Sequence, residues 1–380
     1  MRILIISHEY PPIGGGGANA CMYLAREFAK KKNDVYIISV WYEGTQEKEV
    51  IEYEGGTITL FRIKAKRKYK EHCSFIEMLD FIFKARKEID LLFKSKCFDI
   101  TQIFFGIPSG PLGLYIKKKY KIPYVIRFGG GDIPGFQNRF KILYKLLGYP
   151  LKVIWNKADG LVANSEGLKD FALSFYNKKE IYVIYNGVDT EKFFPGERCE
   201  NSEVSNLLFV SRLIERKGLQ DVIPYLNAIR EKSGKEIHLT IVGDGPYRET
   251  LMQLAQKYGT TELISFEGQH DKNELLDYYQ KGDVFIFPSR KEGMPNAVLE
   301  AMACGLPIIM NKRCQGCKEL VDQNGILVED NFADEISNFL KCSDKQKSEM
   351  GCRSRKKAIQ NFSWEMTAEK YIDLFNEILS

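Results

Sequence analysis

YNGVDTEKFFPG (Tyr185–Gly196), followed shortly by LLFVSRLIERKG (Leu207–Gly218), is the stretch on which the fold turns. The first run holds Gly187, Pro195 and Gly196 and passes into a polar segment at 197–205. That is the composition of a boundary between domains, near residues 186–205. The second run starts a new cycle, with an apolar strand at 207–211 and a helix at 218–231. Working back, strands are expected at 2–7 (RILIIS), 34–40, 57–63, 122–128, 161–163 and 181–184, with a helix at 18–31. Working forward, strands are expected at 239–242, 264–266, 284–287 and 307–310. Helices fall at 247–258, 272–281 and 296–304, and an amphipathic one closes the chain at 364–379. Short apolar runs without strict alternation suit parallel sheets covered on both faces. Two such arrays predict an α/β chain of two doubly wound, Rossmann-like domains, 1–190 and 191–363.

The bulk composition agrees with two domains. The chain has 380 residues, 44% of them hydrophobic, enough for a core in each half. It opens MRILIISHEY, which lacks the pattern of a signal peptide. No run reaches the ~18 apolar residues of a membrane span. A cytoplasmic protein, free or peripheral at the inner face of a membrane, is expected. Nine cysteines, an odd number scattered through a long chain, point to reduced thiols. Cys314 and Cys317 have C-x-x-C spacing but lack the two further ligands of a zinc site. Residues 1–190 carry 30 Lys and Arg against 20 Asp and Glu, whereas 191–380 carry 25 against 30. The first half is therefore the one suited to an anionic partner.

Four motifs follow strands. Gly14–Gly17 lies between the first strand and first helix, where backbone N–H groups and a helix N-terminus favour an anion. Gly15, Gly17 and Ala20 fit a loose dinucleotide fingerprint, but residues 8–13 intervene where a dinucleotide loop turns at once. Arg212 and Lys217 follow the strand at 207–211; a guanidinium fork and an ammonium suit a diphosphate, although surface cations are common. Gly243-Asp-Gly245-Pro follows the strand at 239–242 and reads equally as a plain tight turn. EGMPNAVLE (Glu292–Glu300) follows the strand at 284–287. Pro295 and Asn296 start a helix there, and Gly293, Met294, Pro295 and Asn296 present amides. One of Glu292 and Glu300 could accept sugar hydroxyls and the other ribose hydroxyls, or both could be the solvated acids of an ordinary capped helix.

Taken together, these motifs resemble the family 4 glycosyltransferases, which have the GT-B fold. The resemblance runs through YPPIGGGG, NGVDTEKFFP, SRLIERKG, VGDGP, PSRKEGMPNAVLEAMACGLP and FSWE, nearly the whole chain. It implies two domains facing a cleft, an N-terminal acceptor domain and a C-terminal nucleotide-sugar domain. The helix from residue 364 to 380 would return to pack on the first domain. By the same resemblance Arg212 and Lys217 stabilise the leaving diphosphate. Glu292 holds the donor sugar with the amides of Gly293 to Asn296, and Glu300 binds the ribose. Gly15 and Gly16 face phosphates or acceptor, and Gly243 and Gly245 line the donor site. One departure is plain: the family's His-Gly pair is absent, and Arg127-Phe-Gly129-Gly-Gly-Asp132 stands in its place. Arg127 or Asp132 is expected to take over part of that sugar pocket; a turn or cap is the other reading of Asp132.

The resemblance implies retention at the anomeric carbon. No D-x-D occurs, so neither a metal nor another cofactor is expected beside a UDP- or GDP-linked sugar. Cell-surface polysaccharide biosynthesis is the expected setting, with a glycan or polyisoprenyl-linked acceptor. The first half has a basic cluster at 61–70 (FRIKAKRKYK) and a longer run at 136–157, which mixes Lys with Phe, Tyr, Leu and Trp155 and could lie in an anionic lipid interface; helices packed on the sheet with solvated lysines are the alternative. No aromatic-interleaved RNA motif is present, so nucleic acid is not expected. The rivals are a GT-B epimerase or hydrolase of nucleotide sugars and a non-catalytic nucleotide-sugar sensor.

Overall fold

The computed structural model describes residues 1–70, 73–136, 141–197, 204–271 and 273–380, apart from the side chains of residues 141–143, 145 and 146. His72, Lys272 and parts of the 136–157 and 197–205 segments lie outside the described residues. The chain divides into two units: Met1–Asn186 with Trp364–Ser380, and Gly187–Ser363.

Unit 1 is built on eight strands: β1 (Arg2–Ile6), β2 (Asp34–Val40), β3 (Lys48–Tyr53), β4 (Gly56–Ile63), β5 (Ile100–Phe104), β6 (Tyr124–Arg127), β7 (Gly160–Ala163) and β8 (Tyr182–Val183). Their order is β3-β4-β2-β1-β5-β6-β7-β8, parallel except for the β3–β4 hairpin. Successive side chains point to opposite faces of a strand, and both faces here are buried. Leu4 and Ile6 enter one core with Phe81, Ile116 and Trp155. Ile3 and Ile5 enter the other with Leu24, Phe28, Tyr371 and Phe375. The helices α1 (Gly16–Lys30), α2 (Phe75–Leu92), α3 (Gly110–Tyr120), α4 (Lys141–Lys157) and α5 (Glu166–Phe175) come from within the first stretch of chain. One more, Trp364–Leu379, comes from its far end. It docks on α1: Trp364 stacks on Tyr23 with ring centroids 5.5 Å apart, and Phe375 meets Phe28 at 5.7 Å.

Unit 2 has six parallel strands: β9 (Val204–Val210), β10 (Glu236–Val242), β11 (Ile264–Gly268), β12 (Val284–Phe287), β13 (Ile308–Asn311) and β14 (Gly325–Val328). Their order is β11-β10-β9-β12-β13-β14. The helices are α6 (Leu226–Ser233), α7 (Arg248–Lys257), α8 (Leu275–Lys281), α9 (Asn296–Ala303), α10 (Cys317–Leu320), α11 (Phe332–Lys341) and α12 (Asp344–Asn361); the helix on α1 is then α13. Both units are thus Rossmann-like. The helix expected at 218–231 begins only at Leu226, and short 3-10 turns occupy 219–225. Gly218 at φ +80° and Pro224, which has no N–H to give, keep that stretch from winding as one helix.

Strand order reverses between β1 and β5 in unit 1 and between β9 and β12 in unit 2. Open parallel sheets take ligands just outside the carboxyl ends of the strands at such a reversal.

Candidate active site

Unit 2 places its charged motif residues at that reversal. Lys217 comes from the loop after β9 and Glu292 from the loop after β12, and Nζ of Lys217 lies 2.8 Å from Oε1 of Glu292. The side chains are only 12% and 16% exposed, so little water screens the pair. Arg216 Nη1 is 3.5 Å from the same oxygen, and the Ser289 hydroxyl donates to it at 3.3 Å. Burial works against a charge on Glu292. Lys217 and Arg216 beside it, with the hydrogen bonds from Lys217 and Ser289, outweigh burial and hold its pKa below the ordinary carboxylate value. The Lys217 ammonium also lies over the Phe287 ring, 5.1 Å from its centroid.

The backbone locks the two loops together. Arg290 N donates to Arg216 O at 3.1 Å, and Arg216 Nη1 donates to Lys291 O at 2.9 Å. Arg290 grips Asp221 with both ends of its fork, the shortest contact being 2.7 Å. Gly218 passes so close to the carbonyl of Pro288 that a Cβ would collide with it. The Gly243–Gly245 turn is pressed on the first loop in the same way: a Cβ on Gly243 would strike Ser211 O, and one on Gly245 would strike Leu213 O. These glycines line the carboxyl edge because nothing larger fits. Behind the Glu292 loop, Gln315 N donates to Glu292 O at 2.8 Å and the Cys314 thiol to Ser289 O at 2.9 Å. Cys314 and Cys317 are buried free thiols, so the C-x-x-C pair is packing under the site.

The rest of EGMPNAVLE divides in two. Pro295 precedes α9 with no side chain capping that helix, and Gly293 to Asn296 lead directly into it. Glu300 lies one turn inside, mostly buried, and its Oε2 accepts the Tyr279 hydroxyl at 2.8 Å. Arg212 stands exposed directly after Ser211. Glu292 and Lys217 are therefore in contact, and Glu300 is held by Tyr279. Arg216 and Ser289 were not singled out from sequence. The signal for Arg216 was its place beside Lys217 in ERK, and for Ser289 the PSR run before Glu292.

In unit 1 the corresponding edge is built from the loops after β1, β5 and β6. Gly15 precedes α1 and Gly16 begins it, both exposed and with no side-chain cap. Phe105, just past β5, has φ +68°, rare for a large residue. A Cβ on Gly17 or on Gly129 would collide with its ring, and the His8 ring meets it edge-on at 5.1 Å. The aromatic ring of Phe105 thus occupies the space into which a side chain at position 129 would grow. Asp132 is buried and accepts from Gly106 N at 2.6 Å and Gly129 N at 2.9 Å. Burial raises its pKa, with those amides and Arg127 opposing. It ties two loops together, which is the turn reading of this residue. Arg127, expected at the sugar pocket, is buried instead: its guanidinium lies 5.1 Å from the Phe104 ring centroid and donates to Asn186 Oδ1. As the last residue of β6 it shares the face of Val125, which belongs to the core covered by α1 and α13.

Among the described residues, no group of three or more His, Cys, Asp or Glu could hold a metal ion, and no helix is long and apolar enough to cross a membrane. The apolar residues of the 136–157 segment divide between surface and core where it is described, and Tyr149 is 79% exposed. Trp155 is fully buried against Phe128, centroids 4.4 Å apart, and Leu151 and Ile154 are buried with it.

Residues 14–192 match the family model for Glycosyltransferase Family 4, and residues 191–357 match that for Glycosyl transferases group 1. An uncharacterized glycosyltransferase of Methanocaldococcus jannaschii is 31% identical over 258 residues, 64% of this chain and 64% of that one. A GDP-mannose-dependent alpha-(1-6)-phosphatidylinositol monomannoside mannosyltransferase of Mycobacterium tuberculosis is 31% identical over 300 residues, 72% of this chain and 75% of that relative. Among solved structures, a sucrose-phosphate synthase from Thermosynechococcus elongatus superposes with a TM-score of 0.80 at 18% identity, over 100% of this chain and 99% of that one.

Proposed function

The chain belongs to the family 4 glycosyltransferases, and from that premise we propose that it moves a sugar from a UDP- or GDP-linked donor to a hydroxyl of a glycan or lipid-linked glycan, with retention at the anomeric carbon. The observation that carries this reading is the Lys217–Glu292 pair at the strand reversal of unit 2, with Arg216 and Ser289 on the same carboxylate. A diphosphate leaving group gathers negative charge as its bond to the sugar breaks. Lys217, largely shielded from water and already oriented by Glu292, meets that charge, and Arg216 and Arg212 add theirs from more exposed positions. Glu292, kept ionised by the same cations, has lone pairs left for donor-sugar hydroxyls, and the start of α9 adds backbone N–H groups. Glu300, steadied by Tyr279, is assigned to the ribose.

The transfer needs no protein nucleophile. The acceptor oxygen bonds to the anomeric carbon on the face from which the phosphate oxygen departs, and its proton passes to that phosphate. The cations take the electrostatic task a divalent metal would otherwise have, so turnover is expected to survive EDTA. Loss of activity restored by added Mg²⁺ would overturn the metal-free assignment.

A lipid-linked acceptor agrees with the M. tuberculosis relative, a phosphatidylinositol monomannoside mannosyltransferase. Polysaccharide or glycolipid assembly is the setting proposed here. The test is a panel of nucleotide sugars, with released nucleotide measured in the presence and absence of acceptor. Release that depends on acceptor is expected. Release without acceptor would replace this reading by a hydrolase or epimerase, and binding without release by a sensor.

A further inference from the structure

The C-x-x-C pair, Cys314 and Cys317, takes no part in the proposed chemistry, yet it lies against the back of the Glu292 loop. It follows β13 and opens α10. Cys317 N donates to Cys314 O at 3.2 Å, which closes a four-residue turn with Gln315 and Gly316 at its centre. Such a turn holds its first and last Cα atoms within about 7 Å, and a disulfide spans Cα separations of about 4.4–6.8 Å. The two thiols feel each other: a negative charge on Cys317 works against one on Cys314. Both are buried, and burial pushes both thiols up, so the pair is protonated and unreactive while the turn stays closed.

Three contacts tie this turn to the site. The Cys314 thiol donates to Ser289 O at 2.9 Å. Gln315 N, between the cysteines, donates to Glu292 O at 2.8 Å. A Cβ on Gly316 would lie 2.3 Å from Gly293 O, so the turn presses on the peptide that follows Glu292. Ser289 in its turn gives its hydroxyl to Glu292 Oε1. The main chain of the Glu292 loop is thus carried by the C-x-x-C turn. The second thiol faces away from the loop and donates to Lys312 O at 3.1 Å.

We propose that Cys314 and Cys317 form a reversible disulfide, and that closing it withdraws support from the Glu292 loop and lowers transfer. The reaction is exchange with a low-molecular-weight disulfide of the glutathione class. One thiolate attacks the oxidant and expels one thiol, and the second attacks the mixed disulfide and expels the other. The cysteines lose two electrons and two protons, and the oxidant is reduced to two thiols. Each sulfur now serves a different carbonyl, so both must turn to meet. Ser289 O and Lys312 O lose their donors, Gln315 N moves with the turn, and Glu292 shifts from Lys217. A buried pair reacts only as the turn opens, on a scale of minutes to hours. Transient disulfides of this kind occur where thiols are kept reduced at rest. This control belongs to the same transferase site and rests on that reading of it.

The test incubates the full chain with oxidised glutathione, alkylates the remaining thiols and maps them by mass. Cleavage after Arg313 and Lys318 puts both cysteines on one peptide, 314–318. The bond is read as that peptide without alkyl groups and lighter by two hydrogens. Acceptor-dependent nucleotide release is measured on the same samples, and amide hydrogen exchange follows residues 289–296. In the wild type the peptide is expected to oxidise, exchange to quicken and release to fall about tenfold or more, all reversed by dithiothreitol. Cys317→Ser, whose hydroxyl can still donate to Lys312 O, keeps the other thiols and should hold its release through the same treatment. A 314–318 peptide that stays alkylated overturns the proposal. So does a bond that leaves release and exchange unchanged, or equal inhibition of Cys317→Ser. A reduced wild type that releases no nucleotide from any donor would sink the transferase reading, while the bond and the exchange at 289–296 still decide the switch. Normal release from a chain whose 314–318 peptide never oxidises would do the reverse.

Discussion

Lys217 and Glu292 work as a unit because each would be poorly solvated alone. Glu292→Gln keeps the shape and removes the charge, so it should lower transfer by about 10²–10³-fold with the fold retained. The acid limb checks the electrostatics. The folded pKa of Glu292 lies below its ordinary 4.5, so the ionised pair contributes stability above that pH and loses it as pH falls through the folded value. The thermal midpoint gap between wild type and Glu292→Gln should therefore be flat above pH 4.5 and shrink below it. A gap that changes between pH 6 and 8 would place the controlling group elsewhere. Phe105 allows a second test at this scale. Gly129→His, which restores the residue of the resembled family, drives a side chain into the Phe105 ring and should destabilise unit 1 by about 1–3 kcal/mol. Phe105→Ala should recover part of that loss in the double variant, giving a coupling energy of about 0.5 kcal/mol or more in a double-mutant cycle. Additive effects would mean that the ring does not hold that space.

The loops and helices show what sequence could and could not convey. Gly218 is the pivot of the Lys217 loop: its φ of +80° and its approach to Pro288 O make Gly218→Ala strained and crowded. The change should destabilise by about 1–3 kcal/mol and, by shifting Lys217, reduce kcat more than thermal stability alone accounts for; chemical denaturation and steady-state kinetics measure the two. Such a pivot is hard to read from sequence, and the run after Gly218 looked like continuous helix. Strands with an unbroken apolar run of four residues or more were legible, β1, β2 and β12 among them. β5 was not, although all five of its residues are buried, because Thr101 and Gln102 interrupt the apolar pattern that marks a buried strand. α2 escaped for the opposite reason: apolar side chains on two sides leave no amphipathic rhythm to see. The candidate site was legible where loops carry chemistry in consecutive letters, as at Glu292 and Lys217. Arg127 shows the limit. An arginine at the carboxyl end of a strand reads as a ligand group, and only strand parity, which puts it on the face of Val125, turns it into the core.

For the molecule as a whole, the discontinuity of unit 1 matters most. Its α1 face is completed by α13, from the far end of the chain, with Trp364 on Tyr23 and Tyr371 and Phe375 on Phe28. Deleting residues 364–380 should uncover that apolar face and expose unit 1 to proteolysis at a lower temperature than unit 2; limited proteolysis with fragment masses reads this directly. Equal resistance of both units would show α13 to be dispensable. The same arrangement sets an order of events during synthesis. A ribosome adding about 5–20 residues per second spends on the order of ten to thirty seconds on the stretch from Gly187 to Ser363 before α13 is even translated. Throughout that interval the first sheet has emerged while the groove around Phe28 lacks its cover. The domain begun first is thus the one finished last, and a nascent chain stalled within unit 2 would offer that groove to chaperones.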